Sequence, residues 1–436
     1  MESAIRQTSV TALAPAAHWN LNAFQRLLVG VAVLDTSIQV DTYLFYQEKW
    51  AEFGAIGGIN VSLATICLVV LYAMWLVEAG AAATYLRRSS LYINLPLTLY
   101  VGIVTLSWIV ARDKLLALNS IVLLGQSYLL FTYIANRIRT RDDVVYIVTL
   151  FAVALAIQGL AMIGLRVIGR NVSLGPITGM IGDDMRVGGT IGSPVTGGSF
   201  LALMIAPTLS LLVMPVKRSC KLLAIGAISL GGIGLLLTQT RGSWVAVGLS
   251  VSLFFALAWY RGWISLRLPV ACACAALLFG IVFHESIANR VFGDDEGSAQ
   301  GRIPLYQMAW AMIGDQPLTG VGINNCAASA GEYATRPEFR GEWFWTIHNK
   351  YLLEWVETGI FGLAAFLLFL LTTIRQGWNV WRLNDRLLSP IALALTLAIG
   401  GQMVHMLVDV FNSRPQVQSL WLCAALVAAV ARIEED

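Results

Sequence analysis

Residues 345–362 read W-T-I-H-N-K-Y-L-L-E-W-V-E-T-G-I-F-G. The run starts polar, with His348, Asn349 and Lys350 in succession, and passes straight into an apolar helical pattern that carries Glu354 and Glu357 in its first turns. Followed to residue 373, the apolar stretch has the length a helix needs to cross a bilayer, roughly 20 residues. A histidine and several charges therefore stand at the mouth of a membrane helix, where ionisable groups are costly unless they have a partner or a use.

The pattern repeats along the chain. Its 436 residues are 57% hydrophobic and only 13% charged, with a mean hydropathy of +0.70; a soluble domain averages about 25% charged. So few charges cannot cover a wetted surface, and the expectation is an all-α polytopic membrane protein, one integral domain over residues 1–436. Apolar runs fall near 22–40, 56–79, 91–111, 115–135, 144–168, 197–216, 222–239, 243–260, 268–284, 351–373, 388–410 and 416–432, about twelve spans by the window criterion. The first is the weakest, interrupted by Arg26, Asp35 and Gln39. The net charge of +3 makes no case for nucleic acid. The N-terminal stretch lacks a basic start followed by a compact apolar core, so no cleaved signal peptide is expected. The six cysteines are scattered, without zinc spacing, and no disulfide is expected.

Short loops rich in Lys and Arg mark the cytoplasmic side. Arg87-Arg88, R-I-R-T-R (137–141), K-R-S-C-K (217–221), Arg261 with Arg267, and Arg375 with Arg382 and Arg386 occupy alternate loops. Both termini then lie inside. Three segments lie outside: about 169–196, the turn at 238–242, and a large loop, 285–350, between the ninth and tenth spans. The aromatics Trp343, Phe344, Trp345 and Tyr351 stand where that loop re-enters the membrane, as an interfacial belt would. Within it, 301–317 predicts a helix: Leu305, Met308, Ala309 and Met312 repeat at helical spacing, so the helix can lie flat on the membrane.

The outer face should be poor in arginine, yet Arg186 sits in the Gly-rich R-V-G-G-T-I-G-S-P (186–194), Arg241 in a turn, and Arg302 at the head of the loop helix. Guanidinium forks bind phosphate in a bidentate manner and stay charged at any pH; Gly-rich backbone and helix N-termini add N–H donors for an anion. Against this, each arginine can serve as an interface anchor or pair with acids: Asp183 and Asp184 flank Arg186, and Asp294, Asp295 and Glu296 precede Arg302. Of the histidines, His18 lies in the N-terminal tail and His284 ends a span. His405 and Asp409 share a face within a span, readable as a structural hydrogen bond or as a proton or substrate path. His348, at the outer mouth, can as a neutral imidazole take a proton from a hydroxyl near pH 7; by itself it also reads as an interfacial histidine. G-D-D-M (182–185) and G-D-D-E-G (293–297) read as loop turns more readily than as metal ligands. Glu354 and Glu357 read as complements to a helix dipole.

Three segments, T-Q-T-R-G-S-W-V-A (238–246), R-I-P-L-Y-Q-M-A-W-A-M-I-G-D-Q-P-L-T-G-V-G-I-N-N (302–325) and I-H-N-K-Y-L-L-E-W-V-E-T-G-I-F-G-L (347–363), together resemble the O-antigen ligase and polymerase superfamily of bacterial inner membranes. The resemblance implies a membrane glycosyltransferase of type C (GT-C), acting on the periplasmic face without a nucleotide sugar, metal or cofactor. It implies a glycan carried on undecaprenyl pyrophosphate as donor and the hydroxyl of lipid A–core oligosaccharide as acceptor, amid membrane lipid. By residue, it implies Arg186 and Arg241 as pyrophosphate holders, Arg302 as a further one, His348 as base or positioning group, and Asn349 and Tyr351 as supporting residues. Two other readings stay open within enzymes, a repeat-unit polymerase and a protein O-oligosaccharyltransferase. A lipid-linked substrate transporter would draw on His405, Asp409, Glu78 and Gln402, and a scaffold would use the outer arginines as an interface.

Overall fold

The computed structural model describes residues 21–82, 91–182, 184–282, 284–285, 288, 301–333 and 345–435. Arg87, Arg88, His18, Asp183, Asp294, Asp295, Glu296, Trp343 and Phe344, named above, lie outside the described residues. The helices are α1 (Ala23–Ile38), α2 (Glu48–Ala51), α3 (Leu63–Ala82), α4 (Leu95–Ser107), α5 (Lys114–Arg137), α6 (Arg141–Ile168), α7 (Pro194–Val213), α8 (Arg218–Leu237), α9 (Arg241–Tyr260), α10 (Arg267–Val282), α11 (Arg302–Asp315), α12 (Cys326–Tyr333), α13 (Lys350–Arg382), α14 (Leu388–His405) and α15 (Arg414–Glu435). Each expected apolar run holds a helix. Among the described residues nine are long and apolar enough to cross a membrane; α1, α4 and α10, of 16, 13 and 16 residues, are shorter. α7 and α15 are the most enclosed, 89% buried along their apolar windows, whereas α3 is 22% buried. A helix apolar all round suits either place, core or lipid.

The chain is mostly helical, not wholly so. β1 (Asp41–Leu44) pairs antiparallel with β2 (Ile59–Ser62), and β3 (Val172–Leu174), β4 (Ile177–Ile181) and β5 (Val187–Gly189) form a second small sheet. The run expected to span from 56 thus starts its helix only at Leu63. Ile59–Ser62 has β-branched residues in alternation, which suits a pleated edge, and a hydropathy window cannot tell that edge from a helix start.

Loops expected on one side of the membrane are joined to one another at one end of the bundle. Arg26 pairs with Asp143 at 2.8 Å, Arg137 with Glu78 at 2.7 Å and Arg141 with Asp385 at 2.6 Å. At the opposite end Thr346 donates to the Phe53 carbonyl, Asn412 to that of Gly54, and Asn324 to that of Ile56. Asp35, which made the first run look weak, belongs to this second end. Its carboxylate accepts from Arg414 Nη1 at 2.9 Å, and Asp41 meets Arg414 Nη2 at 2.6 Å, all three side chains being buried. Removing one partner of a buried pair strands the other charge, so Arg414→Ala is expected to cost about 3–5 kcal/mol of stability. Thermal unfolding in detergent checks this; an unchanged midpoint would show that the pair is dispensable.

α13 is broken at Gly359, where φ is +70°. The break frees carbonyls, and a loop fills them: Val321 N–H donates to the Val356 carbonyl at 2.8 Å, Gly322 N–H to that of Glu357 at 2.9 Å, and Ile360 N–H to that of Pro317 at 3.0 Å. A side chain at 359 would run into the Leu318 carbonyl. The segment P-L-T-G-V-G is thereby sewn to E-T-G-I. Leu305, Met308, Ala309 and Met312 are buried on α13 with Val356 and Leu353, so the apolar stripe of α11 faces protein and not the membrane.

Candidate functional site

Arg186, Arg241, Arg302 and His348 come from four separate stretches of chain and are brought to the same end of the bundle. Arg186 precedes β5. Its Nε donates to the Thr238 carbonyl at 3.0 Å and its Nη2 to Thr240 Oγ1 at 3.3 Å. The acid beside it is a weaker partner, with Asp184 Oδ2 3.8 Å from Nη1. Arg186 therefore grips the turn between α8 and α9, where Gln239 takes a positive φ of 49°. Arg241 is not inside that turn, as the sequence suggested, but is the first residue of α9. The N-cap Thr240 makes no side-chain cap bond; its hydroxyl donates to the Pro194 carbonyl at 3.1 Å and its oxygen accepts from Arg186 instead. An arginine on a helix N-terminus without a side-chain cap is an arrangement that attracts anions.

His348 sits at a bend in the irregular approach to α13. Its Nδ1 lies 3.1 Å from the Thr346 carbonyl, which can only accept, so Nδ1 carries the proton. A neutral ring then has its Nε2 lone pair free. Thr346 is itself held by the Phe53 carbonyl, and the His348 carbonyl accepts from Tyr306 Oη at 3.3 Å. Tyr306 is one helical turn beyond Arg302, so the same α11 face bears on both. Burial, and next the Arg302 guanidinium, hold the imidazole below its usual pKa of 6.5, while Asp409 and the Thr346 bond pull the other way. Asp409 is buried, with Oδ2 accepting from Gln416 Nε2 at 2.6 Å.

The supporting residues have local tasks. Asn349 caps α13, accepting from Tyr351 N–H at 3.0 Å and Leu352 N–H at 3.1 Å. Tyr351 turns inward and donates to the Met403 carbonyl at 2.7 Å, so it is no part of an interfacial belt. Trp345 packs edge-on against Phe53, 6.1 Å between ring centres.

Glu354 and Glu357 are more than dipole complements. Lys350 Nζ lies 2.6 Å from Glu354 Oε1, with both side chains nearly fully buried, and Tyr100 Oη donates to the same oxygen at 2.8 Å. Glu357 accepts from Cys326 N–H at 3.1 Å. Burial, and then Glu357, push the Cys326 thiol far up, which removes it as a nucleophile. The sequence reading had Lys350 only as one of the polar residues at the helix mouth; its pairing with Glu354 escaped it, as did Tyr100. The i, i+4 spacing of Lys350 and Glu354 was a signal for the first, but no local signal points to the second. Glu78, once a candidate for a transport path, is at the far end of the bundle on Arg137 and Gln25.

Residues 224–367 match the family model for O-antigen ligase. These residues are an O-antigen ligase domain. No curated protein sequence matches the chain. The O-antigen ligase domain covers about a third of the chain and contains Arg241, Arg302, His348, Asn349 and Tyr351; Arg186 and His405 lie beyond its limits. With the nine apolar helices among the described residues, the match supports a multi-pass membrane protein with an enzymatic role of the O-antigen ligase and polymerase kind.

Proposed function

We propose that the protein is an O-antigen ligase of the bacterial inner membrane, built on a twelve-span GT-C plan with both termini cytoplasmic and its site facing the periplasm. It moves a polysaccharide from undecaprenyl pyrophosphate to a hydroxyl of lipid A–core oligosaccharide. The observation that carries the reading is the convergence of Arg186 on the turn that launches Arg241, at the same end as a histidine whose Nδ1 bond to Thr346 leaves Nε2 unprotonated and which stands within electrostatic reach of Arg302.

In this reading the acceptor oxygen attacks the anomeric carbon and the bond from that carbon to the pyrophosphate oxygen breaks. The hydroxyl proton goes to His348 Nε2, and the electron pair leaves with undecaprenyl pyrophosphate. Arg186, Arg241 and Arg302 meet the growing negative charge with little reorganisation. One in-line displacement inverts the anomeric centre. Asn349 and Tyr351 hold the start of α13, and through it His348.

The test is transfer by purified protein from lipid-linked O-antigen to rough lipopolysaccharide, in EDTA. Capped lipopolysaccharide supports the ligase. Extension of the lipid-linked glycan instead would assign the polymerase branch, and transport without transfer would overturn both. A pH expectation follows from His348. Its pKa is depressed, so the neutral base persists as pH falls and the acid limb of kcat/KM lies below pH 6.5. Arg302→Gln removes a cause of that depression and is expected to move the limb upward. A limb that stays in place would separate His348 from the rate.

A further inference from the structure

His405 is the last residue of α14, lies directly beneath the start of α9, and is 1% exposed. Its ring is so near Gly242 that a Cβ there would stand 2.5 Å from Cδ2 and 3.0 Å from Nε2. Any side chain at 242 would force ring and turn apart. His405 Nε2 is 3.5 Å from Ser243 Oγ, and its Nδ1 is 3.2 Å from Gln402 Nε2, which donates to Ser199 Oγ at 2.8 Å. A buried polar chain thus ties α9 to α14 and α7 just below Arg241. The next residue, Met406, accepts from the backbone N–H of Lys350 at 2.9 Å, two residues after His348. Arg302 and Asp409 act electrostatically on both histidines.

We propose that His405 is a positioning residue of the transfer reaction: it holds the Arg241 end of α9 in register with the His348 loop, so that leaving group and incoming hydroxyl meet in line. The proposal rests on the reading of Arg241 as a pyrophosphate ligand and His348 as the base. Sub-ångström placement is what such a link supplies, and misplacement of about 1 Å can cost roughly 10²-fold in rate.

The experiment compares wild type, His405→Leu and His405→Gln, using undecaprenyl-pyrophosphate-linked O-antigen and lipid A–core as probes. His405→Leu is expected to lose kcat by roughly 10²-fold per folded molecule, with acceptor KM as in wild type. His405→Gln, which can keep a nitrogen opposite Ser243, is expected to recover most of the rate and to keep the acid limb, since that limb belongs to His348. If the glutamine variant instead loses both the rate and the limb, His405 is itself the base and the proposal fails. If the leucine variant matches wild type, or its loss only tracks loss of folded protein, the proposal also fails. A wild type that transfers no glycan would sink the functional reading, whereas an active wild type beside an equally active leucine variant sinks only the role of His405.

Discussion

Replacing His348 by alanine is expected to slow glycan transfer by roughly 10²- to 10⁴-fold, the usual contribution of a positioned general base. The protein should still fold. His348 is part-exposed, and among the described residues its side chain bonds only the carbonyl of Thr346, a residue that the Phe53 carbonyl holds independently of the ring through the Thr346 N–H and hydroxyl. The loss should therefore fall on kcat, with acceptor KM little changed. Added imidazole offers a sharper check, since a small base diffusing into the vacated space would restore part of the rate if proton removal is the missing step. Full activity of the alanine variant would remove His348 from the chemistry. A loss that imidazole does not relieve would assign it to orienting the acceptor.

Arg241→Ala should cost about 2.7–4 kcal/mol of barrier, or 10²- to 10³-fold in rate, as removal of a single charge-stabilising donor does elsewhere. The structure adds detail to that number. Arg241 opens a 20-residue helix whose N-cap offers no side-chain bond, so in the proposed reading the positive helix end and the guanidinium charge act on the same pyrophosphate. Arg241→Lys keeps the charge but not the planar fork, and is expected to recover only part of the rate. Single-turnover transfer with saturating donor separates this loss from weaker binding. A lysine variant as fast as wild type would show that charge alone suffices.

Much of the membrane layout was legible because hydropathy is a summed property, and each apolar run does hold a helix. What escaped was set by partners distant in sequence. Asp35 looked like a flaw until Arg414 stood beside it, nearly four hundred residues on. Ile59–Ser62 became a strand because β1 was there to pair with it. Glu354 could be matched to Lys350 by spacing, but Tyr100 has no local signature. The proposed site residues stood out in the sequence as residue types in unusual places: arginines where positive charge is avoided and a histidine at a helix mouth. Their convergence did not, because Arg186 reaches Arg241 through the carbonyl and hydroxyl of the intervening turn, a geometry no spacing encodes.

The break at Gly359 has a temporal consequence. Val321 and Gly322 lie in a loop, yet their amide protons are spent on the carbonyls of a membrane helix. In deuterated water those two amides should exchange on the clock of α13, far more slowly than loop amides bonded to solvent. The segment that carries the family motif would then open only when the helix itself opens, and the floor beneath His348 would stay still through many cycles of glycan arrival and departure.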